Sequence, residues 1–325
     1  MHLNKCDSMK KSYVVVAVVA IIIIAAAAIL LTGIKAKPYS VSEDGILSYG
    51  ARPAPNFTIS LYNDTSIATI YKVVFRSRDR QIYGLLSIPK TGKQPCTTFI
   101  LLPANSIPKE SEQSWLGTDL NKRGYCAFSL DQRGVGTAAD AFVNLDADLG
   151  KLVNGEEPES YKMFYDALAA FDVLSSGSVA GGTNSNALGA INKSAIYMAG
   201  ESMGGRVAII AGAMEPRVAG VVGISTGGYG VPSHQDYKTQ IFIRSIDPDN
   251  YAKMISPRKL LLLHSKYDQT ISSLAANRTY DYAAEPKLLL LDEGTDHGYY
   301  RHEKVISLNQ GLEWLVGYVP PVMPA

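Results

Sequence analysis

The sequence predicts an α/β fold: a mostly parallel sheet with antiparallel first strands and helices on both faces, preceded by one transmembrane helix. Three observations lead to this prediction. One long apolar run stands near the N-terminus, two alternating runs follow it, and the rest switches between short apolar runs and stretches of helical period. Repeated strand-then-helix order is typical of a parallel sheet whose crossover helices cover both faces.

The first element is an apolar segment near the N-terminus. No charged residue occurs from Ser12 to Ile34. As a helix, this stretch would be about 34 Å long, enough to cross a hydrocarbon core of about 30 Å. We therefore expect a short N-terminal tail over residues 1–12 and an uncleaved signal anchor over residues 13–34. The alternative, a cleaved signal peptide and a secreted protein, is less favoured because the run is long and lacks an Ala-x-Ala cleavage site.

The flanking residues predict how the chain leaves the membrane. Three Lys precede the apolar segment and two follow it, which favours a cytoplasmic N-terminus only weakly. Residues 35–55 are rich in Pro and Gly and are expected to form a linker. The globular body is expected over residues 56–325, facing the extracytoplasmic side of the cell membrane. Residues after 40 carry 26 basic and 29 acidic side chains, so no nucleic-acid partner is expected.

The body then alternates between strand-like and helix-like patterns of apolar residues. Residues 67–76 and 81–88 alternate in polarity and predict an antiparallel hairpin. Short, continuous apolar runs, typical of buried parallel strands, cover residues 97–102, 125–130, 195–199, 218–224, 260–264 and 288–291. Helical periods cover residues 111–122, 161–174, 203–214, 272–283 and 303–316. Because ligands bind beyond the carboxyl ends of such strands, the residues that directly follow each strand are the candidates for function.

A candidate nucleophile, Ser202, lies between a strand and a helix. Residues 200–204 read GESMG, a Gly-x-Ser-x-Gly sequence in the strand-to-helix setting of a nucleophile elbow. Residues 223–227, GISTG, also match, and Ser225 follows a strand. The glycines and proline that follow Ser225 cannot start a helix, so we interpret that match as a structural turn.

A serine nucleophile needs a base, and a histidine oriented by a carboxylate is the usual one. His297 lies between the last strand and the last helix, where a base can reach the serine, whereas His264 ends a strand and is expected to be buried. The candidate acids are Asp268, Asp292 and Asp296. Asp268 is preferred because it follows a strand between nucleophile and base. The side chain of Asp296 would diverge from that of its neighbour His297. The other histidines occupy less suitable places: His2, His234 and His302.

The chain resembles the α/β-hydrolase superfamily over residues 67–316. Besides the elbow and the order Ser, Asp, His, residues 131–137 (DQRGVGT) resemble the family's D-x-R-G-x-G-x-S stretch. Residues 260–271 resemble its acid-bearing strand and loop. Serine esterases and the dienelactone-hydrolase-like or prolyl-oligopeptidase-like groups are the most similar. The resemblance implies an α/β-hydrolase domain over residues 56–325, with a small cap-like insert at about residues 225–257.

The resemblance also implies an oxyanion hole. Many relatives carry His-Gly after the third strand, where a backbone N–H binds the oxyanion. Here the stretch 102–106 is LPANS. Pro103 has no N–H, so the expected donors are the backbone N–H groups of Met203 and Asn105.

These residues predict a membrane-anchored serine hydrolase that cleaves small-molecule carboxylic esters through an acyl-enzyme (EC 3.1.1). A peptidase, amidase or thioesterase with the same residues is the alternative within this class. A catalytically inactive, membrane-tethered binding module is the alternative from another class. No cofactor or metal is expected, because ligand spacings and phosphate-binding loops are lacking. A Cys96–Cys126 disulfide is left open, and Cys6 is expected to be cytoplasmic and reduced.

Overall fold

A computed structural model describes residues 18–19, 37–176, 185–230, 236–299 and 302–317. The predicted tail, Cys6 and nearly all of the predicted anchor lie outside these residues, so the anchor stays a prediction. Within the described ranges, no helix is long and apolar enough to cross a membrane. The chain divides into two compact units, Met1–Ser40 and Val41–Ala325. The second unit holds the fold described below.

The strands form one large sheet and one small one. In chain order they are β1 (Tyr39–Val41), β2 (Leu47–Tyr49), β3 (Phe57–Asp64), β4 (Ala68–Ser77), β5 (Arg80–Pro89), β6 (Cys96–Leu102), β7 (Cys126–Leu130), β8 (Ile191–Glu201), β9 (Gly220–Ile224), β10 (Lys259–Ser265) and β11 (Lys287–Asp292). β1 and β2 pair with each other, and the other nine are ordered β11-β10-β9-β8-β6-β7-β5-β4-β3. β6 to β11 run parallel, and β3 to β5 add antiparallel neighbours at one edge. The predicted mostly parallel sheet with an antiparallel start is confirmed.

The helices connect the parallel strands. In chain order they are α1 (Lys109–Glu112), α2 (Thr118–Lys122), α3 (Leu145–Val153), α4 (Glu159–Ser175), α5 (Ser185–Gly189), α6 (Met203–Met214), α7 (Tyr237–Ile246), α8 (Ser273–Tyr282) and α9 (His302–Val316). A π-helical turn, Gln113–Gly117, joins α1 to α2. Short 3₁₀ turns cover Gly136–Ala138, Pro248–Asn250 and Ala252–Ile255.

Apolar side chains of the central strands form the core. On one face, residues of β6, β9 and β10 pack against Leu308, Leu312 and Leu315 of α9. The amphipathic pattern that predicted the last helix therefore reflects burial of one helix face. The structure joins Cys96 of β6 to Cys126 of β7 in a disulfide, with the two Cα atoms 5.9 Å apart. Parallel neighbouring strands bring the two thiols within reach of each other.

The structure differs from the prediction of a linker over residues 35–55. β1 and β2 lie inside that range, and Leu47 is fully buried. The Leu47 N–H donates to the Tyr251 hydroxyl at 2.8 Å, and Arg52 binds the carboxylates of Asp172 and Glu215. These partners are more than a hundred residues away along the chain, so a local pattern rich in Pro and Gly gave no sign of them. The globular unit accordingly begins at Val41.

The range predicted as a cap-like insert contains a helix that the sequence pattern did not reveal. α7 lies between β9 and β10, and Asp236 caps it by accepting hydrogen bonds from the N–H groups of Lys238 and Thr239. Asp is a preferred residue at this position because its carboxylate satisfies the first free N–H groups of a helix. Phe242 of α7 and Tyr251 are fully buried. They belong to the core.

Candidate active site

Ser202 occupies the sharp turn between β8 and α6. Its backbone angles, φ 51° and ψ −115°, are strained for a residue with a side chain. The surroundings hold it there: the Ser202 N–H donates to the carbonyl of Ile224 at 2.9 Å, and its carbonyl accepts from Thr226 Oγ1 at 2.7 Å. The turn therefore fixes the serine at the carboxyl end of the sheet, as the elbow motif predicted.

The glycines of the elbow allow close backbone approach. A Cβ at Gly204 would overlap the carbonyl groups of Leu102 and Pro103, and one at Gly205 would lie 2.6 Å from Thr226 Cβ. Gly204 therefore lets the loop after β6 lie directly against the first turn of α6. This contact brings together the two segments from which the oxyanion donors were predicted.

Asp268 and His297 are paired. His297 Nδ1 lies 2.8 Å from Asp268 Oδ2, while Asp268 Oδ1 accepts hydrogen bonds from the N–H groups of Thr270 (2.8 Å) and Ile271 (3.1 Å). The carboxylate is fully buried, and the imidazole is 22% exposed. A carboxylate at Nδ1 favours the tautomer with the proton on Nδ1, which leaves Nε2 as a proton acceptor.

The loop that carries His297 is attached to the elbow. The N–H of Gly298 donates to Ser225 Oγ at 3.0 Å, and the N–H of Tyr299 donates to Glu201 Oε2 at 3.1 Å. Glu201 directly precedes Ser202 in the chain, and Ser225 directly follows the residue whose carbonyl binds the Ser202 N–H. No hydrogen bond joins the Ser202 hydroxyl to His297 within the described residues. Such bonds are often long when no substrate is bound.

The other predicted candidates have different surroundings. His264 is buried, as expected, and its Nε2 lies 2.8 Å from the carbonyl of Ile271 and 3.6 Å from Asp268 Oδ2. Asp292 Oδ1 accepts from the N–H of Gly294 at 2.9 Å and so supports a turn. Of the three candidate acids, Asp268 is the one paired with His297. His2 and His234 lie outside the described residues.

The predicted oxyanion donors lie on the two segments that meet at Gly204. Met203 is the first residue of α6, where helix N–H groups have no partner within the helix. Asn105 is exposed on the loop after β6. The sequence did not reveal Gln132, whose Nε2 donates to the carbonyl of Pro103 in this loop. The sequence pointed to this region only through the resemblance of residues 131–137 to a family motif. That resemblance gave Gln132 no role.

The motif around Gln132 is built on buried charges. Asp131 accepts hydrogen bonds from the N–H of Lys109 (3.1 Å), Lys109 Nζ (2.8 Å) and the N–H of Thr137 (3.0 Å). Burial acts to raise the pKa of Asp131, but these hydrogen bonds hold it below its ordinary value. Arg133 is fully buried and binds Asp166 at 2.8 Å and Glu159 at 2.9 Å. The backbone on both sides of Gln132 is therefore firmly held.

A second acid lies buried beside Glu201. The Glu112 side chain, at the end of α1, is fully buried, and neither of its carboxyl oxygens has a hydrogen-bond partner among the residues described. Burial raises the pKa of Glu112 well above its ordinary value, and the carboxylate of Glu201 raises it further. A buried acid with a raised pKa therefore lies close to the elbow.

A small cavity adjoins the first turn of α6. It measures about 30 Å³, and its walls include Met163, Phe164, Met203, Val207 and Tyr229. Arg206 also lines it, with its guanidinium 3.9 Å from the centre of the Tyr229 ring. A larger polar cavity, about 460 Å³, lies by Asp249 and Arg278 and is not lined by any of the candidate catalytic residues.

The family assignment comes from residues 55–245, which match the acetyl xylan esterase (AXE1) family. The chain belongs to the acetyl xylan esterase family. The matched range includes Ser202 and ends before Asp268 and His297. Membership of the acetyl xylan esterase family makes the protein a hydrolase with carboxylesterase activity, and the predicted alternative of an inactive binding module is not supported.

Solved structures agree with the fold of the acetyl xylan esterase family. The acetyl xylan esterase from Paenibacillus sp. R4 is 18% identical, with a TM-score of 0.61 over 82% of this chain and 90% of that one. The enzyme from Thermoanaerobacterium sp. is 17% identical, with a TM-score of 0.57 over 80% and 88%. Est1E from Butyrivibrio proteoclasticus, solved with ferulic acid, is 16% identical, with a TM-score of 0.56 over 75% and 99%. No curated protein matches the sequence.

Proposed function

We propose that the protein hydrolyses short-chain carboxylic esters, with Ser202 as nucleophile, His297 as base and Asp268 as the carboxylate that orients it. The observation that carries this proposal is the hydrogen bond between Asp268 and His297 on a loop whose next two residues are bonded beside the elbow. Three segments distant in sequence meet through these bonds, which supports the three proposed roles.

The proposed mechanism has two acyl-transfer steps. His297 Nε2 removes the Ser202 proton as Oγ attacks the ester carbonyl, and the backbone N–H groups of Met203 and Asn105 stabilise the oxyanion. The imidazolium then protonates the leaving alkoxide, giving an alcohol and the acyl-enzyme. Water, activated by His297, releases the acid by the reverse sequence. Asp268 stabilises the imidazolium formed in each step.

We propose an acetyl group as the preferred acyl group. The cavity beside Met203 is small, about 30 Å³, and most of the side chains that line it are apolar. It therefore suits a methyl group better than a long acyl chain. The acetyl xylan esterases among the similar structures extend the proposal to acetylated carbohydrates as substrates.

Turnover of p-nitrophenyl acetate, butyrate and octanoate by the wild type and Ser202→Ala tests this proposal. We expect the highest kcat/KM for acetate and a loss of at least about 10³-fold in Ser202→Ala. The Ser265→Ala variant, which removes a different buried serine hydroxyl at the end of β10, serves as the matched control. Undiminished turnover by Ser202→Ala would rule out Ser202 as the nucleophile. Turnover of the octanoate ester equal to that of the acetate ester would rule out the preference for acetyl groups.

We also propose that residues 13–34 anchor the enzyme in the cell membrane with its catalytic unit on the extracytoplasmic side. The support is the uncharged run from Ser12 to Ile34, which is long enough to span a bilayer. Esterase activity in membrane fractions of cells expressing the full chain tests this. Activity should stay with membranes in carbonate wash and be sensitive to protease added outside the cytoplasmic membrane. Release of the full chain by carbonate would contradict the anchor.

A further inference from the structure

The segment 297–299 is attached to the protein at three successive residues. His297 binds Asp268, the N–H of Gly298 binds Ser225 Oγ, and the N–H of Tyr299 binds Glu201 Oε2. The Asp268 bond fixes the imidazole at one edge only. The two backbone bonds fix the loop from which the imidazole projects.

The two side chains that accept these backbone hydrogen bonds are buried and rigidly placed. Ser225 is fully buried, and its N–H donates to the carbonyl of Leu263 at 2.8 Å, which ties the turn after β9 to β10. Its backbone has φ 48°, a conformation that a residue with a side chain adopts only when the surroundings enforce it. Glu201 is 2% exposed at the end of β8.

We infer that Ser225 and Glu201 are positioning residues that hold His297 in reach of the Ser202 hydroxyl. We call these two side chains the loop clamp. This inference rests on the proposed function, because it takes Ser202 and His297 as nucleophile and base. The second Gly-x-Ser-x-Gly sequence was interpreted from the sequence only as a structural turn. The inference gives its serine a positioning role in the same reaction.

The clamp acts at the point where small displacements matter most. Proton transfer from Ser202 requires Nε2 within about 3 Å of Oγ, and a displacement of about 1 Å can cost up to 10²-fold in rate. Asp268 and the elbow follow β10 and β8 of the same sheet, but His297 projects from a separate loop, and its bond to Asp268 alone does not fix the distance between imidazole and hydroxyl. Two hydrogen bonds from the loop to residues adjoining the elbow set that distance.

The acceptor atom matters at each position, which distinguishes positioning from packing. Ser225→Ala removes one acceptor and changes the volume little. Glu201→Leu removes the other acceptor, and Glu201→Gln keeps an amide oxygen that can accept from the Tyr299 N–H. Two controls alter equally buried groups that do not bind the loop: Ser265→Ala at the end of β10, and Glu112→Gln beside Glu201.

The test measures kcat and KM for p-nitrophenyl acetate, and the rate at which a fluorophosphonate labels Ser202, in the full-length variants. We expect kcat and labelling rate to fall together, by about tenfold or more, in Ser225→Ala and Glu201→Leu. KM should change by less than about twofold. Glu201→Gln should regain most of the loss, and both controls should match the wild type at a temperature where all variants are folded.

The outcomes separate this inference from the proposed function. If the wild type is not labelled at Ser202, the proposed function fails and the loop clamp fails with it. If Ser202 is labelled and essential, but Ser225→Ala keeps the wild-type kcat and labelling rate, only the loop clamp is overturned. A Ser265→Ala variant as impaired as Ser225→Ala would also overturn it, because the loss would then reflect general packing.

Discussion

Gln132 joins the loop after β7 to the loop after β6, which carries Asn105, a proposed oxyanion donor. Its amide donates to the carbonyl of Pro103, two residues before Asn105. The backbone around Gln132 is fixed by the partners of Asp131 and by the buried Arg133. A loop that lies against Gly204 is therefore also held by Gln132, through the carbonyl of Pro103.

Replacing Gln132 by Ala should lower kcat for p-nitrophenyl acetate by about fivefold, the effect of losing about 1 kcal/mol of transition-state stabilisation. KM should stay near its wild-type value, because the substrate carbonyl gains the oxyanion contacts mainly in the transition state. Steady-state kinetics check this, with Gln94→Ala, an exposed residue before β6, as the control. A rise in KM at unchanged kcat would show that Gln132 serves substrate binding instead.

Glu112 gives a prediction about stability against pH. Because its pKa is raised in the folded state, the folded protein keeps this proton while the unfolded chain loses it above about pH 4.5. The raised pKa of Glu112 therefore lowers the free energy of unfolding as pH rises. Glu112→Gln has no such proton to keep, so it should gain stability relative to the wild type as the pH increases. Melting temperatures at pH 5 and pH 8 check the difference between the two proteins, which parallel pH profiles would contradict.

At the scale of elements, the disulfide joins the starts of two neighbouring strands. Cys96 and Cys126 enclose α1, the π-helical turn and α2 in a loop with a sequence separation of 30. The loop also contains residues 103–105, which carry a predicted oxyanion donor. Cross-linking its two ends reduces the freedom of the unfolded chain.

Removing this disulfide should destabilise the fold by about 3 kcal/mol. Urea unfolding of Cys96→Ala/Cys126→Ala, compared with the wild type, measures the loss. Cys6→Ala should leave the midpoint unchanged and serves as the control. A thiol assay that finds three free thiols in the denatured, unreduced protein would contradict the disulfide itself.

Sequence patterns predicted the elements that bury a regular face and missed those that do not. β6 to β10 appeared as short apolar runs because most of their residues are buried in the sheet, and β11 appeared as one although it stands at the sheet edge and is only partly buried. β3 stands at the sheet edge and buries only Phe57 and Ile59 of its eight residues. α7 depends on a cap and on contacts made by few of its side chains. Such elements are stabilised by tertiary contacts that a local window does not contain.

In the molecule as a whole, one edge of the sheet brings together residues from distant parts of the second unit. The places of Ser202, Asp268 and His297 at this edge could be predicted because each follows a predicted strand, and strand ends of a parallel sheet share an edge. The contacts of Gln132, Glu201 and Ser225 could not be predicted. Their hydrogen bonds join residues 29, 98 and 73 positions apart, and sequence spacing alone gives no sign of such pairs.

The division into two units predicts that catalysis does not depend on the N-terminal segment. A protein that begins at residue 37 keeps β1, β2 and the whole second unit. Its kcat/KM for p-nitrophenyl acetate should lie within about twofold of the full chain in detergent, because the groups that bind and react lie in the second unit. A protein that begins at residue 56 lacks Leu47 and Arg52 and is the comparison. It should unfold at a lower temperature, and equal melting temperatures would contradict the packing of residues 41–55.

The proposed function requires Ser202 as the nucleophile and His297 as its base. Labelling of the full-length protein with a fluorophosphonate, with the adduct mapped by mass spectrometry, tests both roles in the wild type and in His297→Ala. We expect a single adduct on Ser202, none on Ser225, and labelling at least about 10²-fold slower without His297. An adduct on another serine, or equally fast labelling of His297→Ala, would contradict it.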